Sequence, residues 1–218
     1  MSSEIALIGR IAPVLAEGLY MTLELSVLAI LLSALWAIPV VLTLISPRRP
    51  LALVARAYIE VVRNTPVLVQ MYFIFFGSSI LGYRLTGFVA GLIALTLQNG
   101  AYIAEIYRAG IQSVSQRQTE SGLAIGLTPR EAFWVIVFPQ ALRKVVPSLA
   151  NQGVVIIKDT SLVATLSVAE LTFEARLLVD RTAAVYEIFL TLALLYMVIT
   201  GVFSGLMRLV ERRLRIVQ

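Results

Sequence analysis

The sequence predicts an all-α polytopic membrane protein that crosses the bilayer five times. Three observations carry that reading. Of the 218 residues 59% are hydrophobic, against the roughly 45–50% of a soluble domain. The hydrophobic residues gather in runs long enough to cross a hydrocarbon core, which takes about 20 residues of helix. The net charge of +5 sits in short basic clusters between those runs, a distribution that sets membrane topology and gives no reason to expect a nucleic-acid partner.

Residues 1–18 read as a periplasmic or interfacial amphipathic lead, broken by Pro13. They lack a basic start, a clean apolar core and a small-residue cleavage site, so the first span is expected to act as its own insertion signal. The transmembrane domain is expected over 19–211, with spans at 19–45, 57–81, 88–111, 150–171 and 188–207, and a tail at 212–218. Span one is uncharged from Leu25 onward and is stopped by Ser46-Pro47-Arg48-Arg49-Pro50. Span two carries Glu60 and Arg63, then Asn64-Thr65-Pro66; a proline inside a span deprives one carbonyl of its partner and kinks the helix. Span three holds Gln98, Asn99, Glu105 and Arg108 in its second half, and span four is interrupted by Lys158-Asp159-Thr160-Ser161.

Five spans put the termini on opposite sides, so the basic residues decide the orientation. With the N-terminus outside, the inner segments hold Arg48, Arg49, Arg56, Arg117, Arg130, Arg143, Lys144, Arg208, Arg212, Arg213 and Arg215, and the outer ones Arg10, Arg84, Arg176 and Arg181. Eleven against four predicts N-out, C-in. The loop at 113–148 then lies in the cytoplasm.

Within that loop, Gln116 to Ile125 suits a short helix and Gly126 supplies a left-handed residue to end it. Thr128-Pro129-Arg130-Glu131 starts a second helix as a capping box, with Pro129 at its first position. The apolar part of that second helix, Ala132 to Phe138, is too short to span. Both helices are expected to lie against a partner.

Charged groups inside spans cost about 2.5–3.5 kcal/mol each at the helix centre on insertion scales. Glu60 with Arg63, and Glu105 with Arg108, stand three apart and can pair on one helical face. Lys158 and Asp159 are sequence neighbours and point in different directions, so each needs a partner elsewhere or water. The residues expected to line a substrate path are Asn64, Thr65, Gln98, Asn99, Glu105, Lys158, Asp159, Thr160 and Ser161, with Gln70 offering further polar groups. Such donors and acceptors suit a zwitterionic amino acid. Interhelical hydrogen bonding is the alternative use of the same groups. Gly87-x-x-x-Gly91 and Gly201-x-x-x-Gly205 are small-residue patterns for close helix packing or a subunit contact.

The absences narrow the class. With no Cys and no His, thiol catalysis, His-containing triads and the usual zinc sites are excluded. No stretch reads G-x-x-x-x-G-K-[ST]; the nearest, Gly77 to Gly82, continues Tyr83-Arg84. If transport here is ATP-driven, nucleotide and Mg²⁺ belong to another chain, and this one is neither an enzyme nor the holder of a cofactor.

Glu120-Ser121-Gly122, three residues, Gly126, nine residues, then Ile136-Val137-Phe138-Pro139 resembles the EAA loop of ABC importer permeases, whose pattern is Glu-Ala-Ala, three, Gly, nine, Ile-x-Leu-Pro. Ser121, Gly122 and Phe138 depart from it. Four further segments, IEVVRNTPVLVQ at 59–70, AYIAEIYRAGI at 101–111, FPQALRKVVPSL at 138–149 and KDTSL at 158–162, resemble the polar amino acid permeases of the histidine/glutamine type. What the resemblance implies is a type I ABC importer transmembrane fold in the bacterial inner membrane. It also implies a second permease subunit, a cytoplasmic ABC ATPase dimer and an external solute-binding protein that delivers the amino acid. Glu120, Ser121, Gly122, Leu123, Gly126, Ile136 and Pro139 would be the ATPase-coupling residues, with Ile125 and Leu127 adding apolar grip. Two rivals remain: a secondary transporter, which calls for internal repeats absent here, and a membrane scaffold, which gives no reason for buried charge.

Overall fold

The computed structural model describes residues 2–214, with side chains from residue 12 onward. Among the described residues there is no strand. The helices are α1 (Ser2–Leu44), α2 (Arg49–Arg63), α3 (Val67–Ile80), α4 (Gly87–Gln112), α5 (Gln116–Ala124), α6 (Pro129–Ala132), α7 (Phe138–Asp159), α8 (Leu171–Thr182) and α9 (Val185–Leu214). A π-helical turn at Phe133–Val137 joins α6 to α7, and a 3₁₀ segment at Thr160–Leu166 follows α7.

Among the described residues, three helices are long and apolar enough to cross a membrane alone: Ala12–Leu44 of α1, α4 and α9. The other two expected spans are composite. Residues 57–81 do not form one kinked helix, because α2 ends at Arg63 and α3 begins at Val67. Gln70 stitches the break: its Nε2 lies 2.9 Å from the Val62 carbonyl, 3.0 Å from that of Thr65 and 2.5 Å from Gln98 Oε1. Residues 150–171 likewise divide, since α7 stops at Asp159 and the 3₁₀ segment ends at Ser167, which has φ 60°. Nor does Pro13 break the expected lead. Helix α1 runs unbroken through Pro13, which removes one hydrogen bond but does not end the helix. The side chains of residues 1–11, and residues 215–218 of the expected tail with Arg215, lie outside the described residues.

Helices α1 and α4 meet through small residues. Ala29, Ala37, Ala90, Ala94, Ala101 and Ala104 are buried between them and their neighbours, as expected where lipid offers no hydrophobic drive and close backbone approach supplies the attraction. A side chain added at Gly100 would stand 2.6 Å from Trp36 Cδ1. At Gly87 and Gly91 the added carbon would meet the Leu166 carbonyl oxygen at 2.2 Å and Val163 at 2.6 Å. That small-residue pattern therefore packs α4 on the 3₁₀ segment. Gly201, in the second pattern, has nothing within 4 Å.

A second core joins α1, α8 and α9 through Leu15, Leu171, Ala175, Leu178, Ile188 and Leu192. Beside it sits Glu170, fully buried. Its carboxylate caps α8 by accepting from the Phe173 N–H at 2.8 Å and accepts from Tyr196 Oη at 3.0 Å and Thr22 Oγ1 at 3.3 Å. Thr22 in turn accepts from the Leu171 N–H at 3.0 Å. One carboxylate thus ties three helices.

Candidate functional site

The loop between α4 and α7 folds by local rules. Helix α5 ends in a Schellman motif, with Gly126 at φ 91°, its N–H on the Leu123 carbonyl and the Leu127 N–H on that of Gly122. Thr128 and Glu131 then exchange the two bonds of a capping box. Pro139 has no N–H for the Val135 carbonyl and its ring crowds that oxygen. The backbone widens there into the π turn, where the Phe138 N–H reaches the Phe133 carbonyl. The second helix of the loop is therefore not a short free-standing element: it continues through that turn into α7.

Two faces of this loop differ. Gly122 is buried, and a Cβ on it would come within 2.6 Å of Ile136 Cδ1, so its bareness lets Ile136 seat α5 against the π turn. Leu127 is half-buried on the same side, which removes it from the expected outward grip. Glu120, Ser121, Leu123 and Ile125 are exposed, Ile125 to 78%. At the base, Lys144 Nζ donates to the Ser113 carbonyl at 2.7 Å, capping the C-terminus of α4 with a cation.

Above the loop, α2, α4 and α7 line an open void of about 540 Å³ bordered by Arg63, Tyr102, Glu105, Lys144, Ser148 and Gln152 among others. It shares Arg63 and Tyr102 with a neighbouring void of about 270 Å³ that reaches Glu60 and Asn64. Within α7, Lys144, Ser148 and Gln152 stand four apart and so form one stripe on the side that lines the larger void.

Glu105 lines the larger void and holds Arg108 at 2.6 Å, as expected. Asn64 lines the smaller one. The expected Glu60–Arg63 pair does not form; the Arg63 guanidinium lies over the Tyr102 ring, 4.7 Å from its centroid, where a cation–π contact holds it. Gln98 and Asn99 are buried and bonded, Gln98 to Gln70 at 2.5 Å and Asn99 to Gln152 at 2.7 Å. They form a polar lattice next to the void. Thr65, Thr160 and Ser161 spend their hydroxyls on the carbonyls of Val61, Ile157 and Lys158, and Lys158, Asp159, Thr160 and Ser161 line neither void. Tyr102, Ser148 and Gln152 were missed, although the α7 stripe signals the last two.

Residues 26–216 match the family described as binding-protein-dependent transport system inner membrane component. The chain belongs to that family. Its members are the transmembrane permease subunits of ABC transporters and carry no ATPase of their own. The chain is 37% identical over 198 residues to the probable glutamine ABC transporter permease protein GlnM of Bacillus subtilis, covering 91% of this chain and 92% of that one. With the L-cystine transport system permease protein TcyB of the same organism the identity is 36%, over 93% of this chain and 87% of TcyB. With the glutamine transport system permease protein GlnP of Escherichia coli it is 39%, over 75% of each chain. A solved amino acid ABC transporter superposes with a TM-score of 0.90 at 37% identity, covering 94% of this chain and 96% of its own. An inward-facing MetNI methionine transporter, at 16% identity and a TM-score of 0.78 over 93% and 97% of the two chains, shares the fold. The fold is thus that of an ABC importer permease, a multi-helix inner-membrane protein.

Proposed function

We propose that this chain is the permease subunit of an ATP-driven importer of polar amino acids, oriented N-out and C-in with five crossings. It works with a second permease subunit, identical or homologous, a cytoplasmic ATPase dimer that binds ATP and Mg²⁺, and an external solute-binding protein. The observation that carries this reading is the polar wall shared by α2, α4 and α7. Glu60, Arg63 and Asn64 are exposed on α2, and a membrane-embedded protein does not turn such a wall to lipid. It faces water, substrate or the second subunit. The path runs from Lys158 and Asp159 past Thr160 and Ser161 to the Gln98–Asn99 lattice, then to Glu105, Thr65 and Asn64.

Coupling falls to the exposed side of α5. Glu120 offers a charge, Leu123 and Ile125 an apolar grip, and Gly122, Ile136 and Pro139 the stiff support that carries ATPase motion into α7. Ser121 keeps the contact surface small, and Gly126 sets the turn. A partner's nucleotide state then biases a two-state membrane element.

The test is reconstitution with the co-purifying ATPase and binding protein in sealed vesicles. Uptake of L-glutamine, L-glutamate, L-arginine or L-cystine is expected to require ATP and to ignore imposed ion gradients. Uptake that follows a sodium or proton gradient would make the chain a secondary transporter, and no uptake would leave a scaffold. Orientation has its own readout, because the chain has no cysteine. A single E120C is expected to react only with membrane-permeant thiol reagents in whole cells; labelling by an impermeant reagent from outside rules out coupling through α5.

A further inference from the structure

The geometry points to Glu60 and Arg63 as a split charge pair that holds the two poles of a zwitterionic amino acid on the coupling-loop side of the Gln70–Gln98 pair. This deepens the transport reading and rests on it. The two residues stand three apart on α2, a spacing at which opposite charges ordinarily bridge. Here they do not. The Arg63 guanidinium carbon lies over the Tyr102 ring, 4.7 Å from its centroid, and its N–H groups meet no carboxylate among the described residues. Glu60 has no side-chain bond among them either. Both line the same void of about 270 Å³.

The other charges nearby are already engaged. Glu105 holds Arg108 at 2.6 Å, and Lys144 holds the Ser113 carbonyl at 2.7 Å. In the lining of the smaller void the charged groups are Glu60 and Arg63 alone, one anion and one cation opening into a common space, each exposed and neither facing an opposite charge among the described residues. Leaving such charges unpaired at membrane depth is costly, and the group that relieves both at once carries an ammonium beside a carboxylate. Every free α-amino acid has that pair, whatever its side chain. The α-carboxylate would take the planar fork of Arg63 and the α-ammonium the carboxylate of Glu60. The side chain would extend into the larger void, past Glu105 and Gln152. Tyr102 lies four residues beyond Gln98 on α4, about 6 Å along the helix toward the loop. The cradle is therefore a stop after the buried lattice, reached from the ATPase side when the path opens inward.

An inner site of this kind is loaded by product. The experiment uses the whole permease–ATPase–binding-protein complex in proteoliposomes with ATP enclosed, so that only complexes with the ATPase inward run. The same unlabelled amino acid that is imported is placed in the lumen, and the concentration that halves import is read. Glu60→Gln and Arg63→Gln are each expected to raise that concentration by about tenfold to a hundredfold, the scale of one charge-assisted hydrogen bond, with the complex recovered at wild-type yield. The N-acetyl derivative, which lacks the ammonium, and the α-amide, which lacks the carboxylate, should each inhibit the wild type more weakly by a similar factor. Glu60→Gln should cease to prefer the free amine, and Arg63→Gln the free carboxylate.

Three results overturn the cradle: no inhibition of the wild type from the lumen, variants that inhibit like the wild type, or single variants that fail to assemble and are rescued by the double swap E60R with R63E. The last would make the pair a bridge to the second subunit. If the wild type imports none of the four amino acids, the transport reading fails and the cradle with it. If it imports but shows any of those three results, only the cradle falls.

Discussion

Two places in this molecule hold a carboxylate inside an otherwise apolar chain, and they treat it in opposite ways. At the α1–α8–α9 junction Glu170 is fully buried and accepts from Phe173, Tyr196 and Thr22. Along the α2–α4–α7 wall Glu60 is exposed and makes no side-chain bond among the described residues. The first carboxylate is part of the scaffold, because its lone pairs are spent on the helices it joins. The second is available, because the protein has not spent it. In a membrane protein, bonding status separates the two roles better than residue type or depth.

The largest effect expected from that contrast is on stability. Glu170→Ala strands the Phe173 N–H and the Thr22 hydroxyl in a buried site while Tyr196 keeps the Thr172 hydroxyl at 3.0 Å, a loss of about 3 kcal/mol if both stay unpaired. For a chain of this size that corresponds to a fall in Tm of about 6–12 °C, measured on the solubilised complex. Glu60→Gln strands nothing and should move Tm by no more than about 2 °C while changing inhibition by internal product. Equal shifts in Tm for the two variants would erase the distinction.

Glycine positions sharpen the same contrast between occupied and open surfaces. Gly87→Ala drives a methyl to 2.2 Å from the Leu166 carbonyl oxygen, and backbone cannot step aside as a side-chain tip can. A cost of about 1–3 kcal/mol follows, read as reduced yield of folded protein. Gly201→Ala meets open space and should leave the yield unchanged. A fall there instead would place a second chain against α9. Gly126 is a third kind, with nothing within 4 Å but φ 91°. A side chain there costs about 1–2 kcal/mol in backbone conformation alone, enough to distort the α5 turn. Gly126→Asp should insert normally yet fail to retain the ATPase on purification; normal retention would remove α5 as the coupling element.

The loop between α4 and α7 was legible in the sequence because its rules act within a few residues: Gly126, the Thr128–Glu131 box and Pro129 each speak for their own turn. The helix breaks were less so. Pro66 announces a disturbance, but whether it bends or parts the helix depends on Gln70 reaching back to the freed carbonyls and across to Gln98. Glu170 stayed unmarked because it closes an apolar run and reads as a span end, while its partners Thr22 and Tyr196 lie on other helices. The Glu60–Arg63 pairing failed for a related reason. The rule for neighbours three apart is local, and Tyr102 on α4 outbids it. The spacing of four between Lys144, Ser148 and Gln152 was there to be counted, whereas KDTSL lies beyond the void and lines neither part of it.

The smallest effect is at the loop's second helix start, and it tests whether exposed charge in this protein does local structural work. The Glu131 carboxyl is held below the usual carboxylate range, first by the Thr128 hydroxyl and then by the Thr128 backbone N–H. A carboxylate whose folded pKa is depressed adds stability above its unfolded value, about 4.3, and loses it as pH falls through the lower folded value. A spin label at R130C, unique in a cysteine-free chain, should therefore keep constant mobility from neutral pH down to about 5 and loosen only as the solution is taken below the unfolded value. In the Glu131→Gln background the acid step should vanish, with the label looser at every pH. An acid step that survives the substitution would assign the transition to other carboxylates and leave Thr128 capping α6 without help from Glu131.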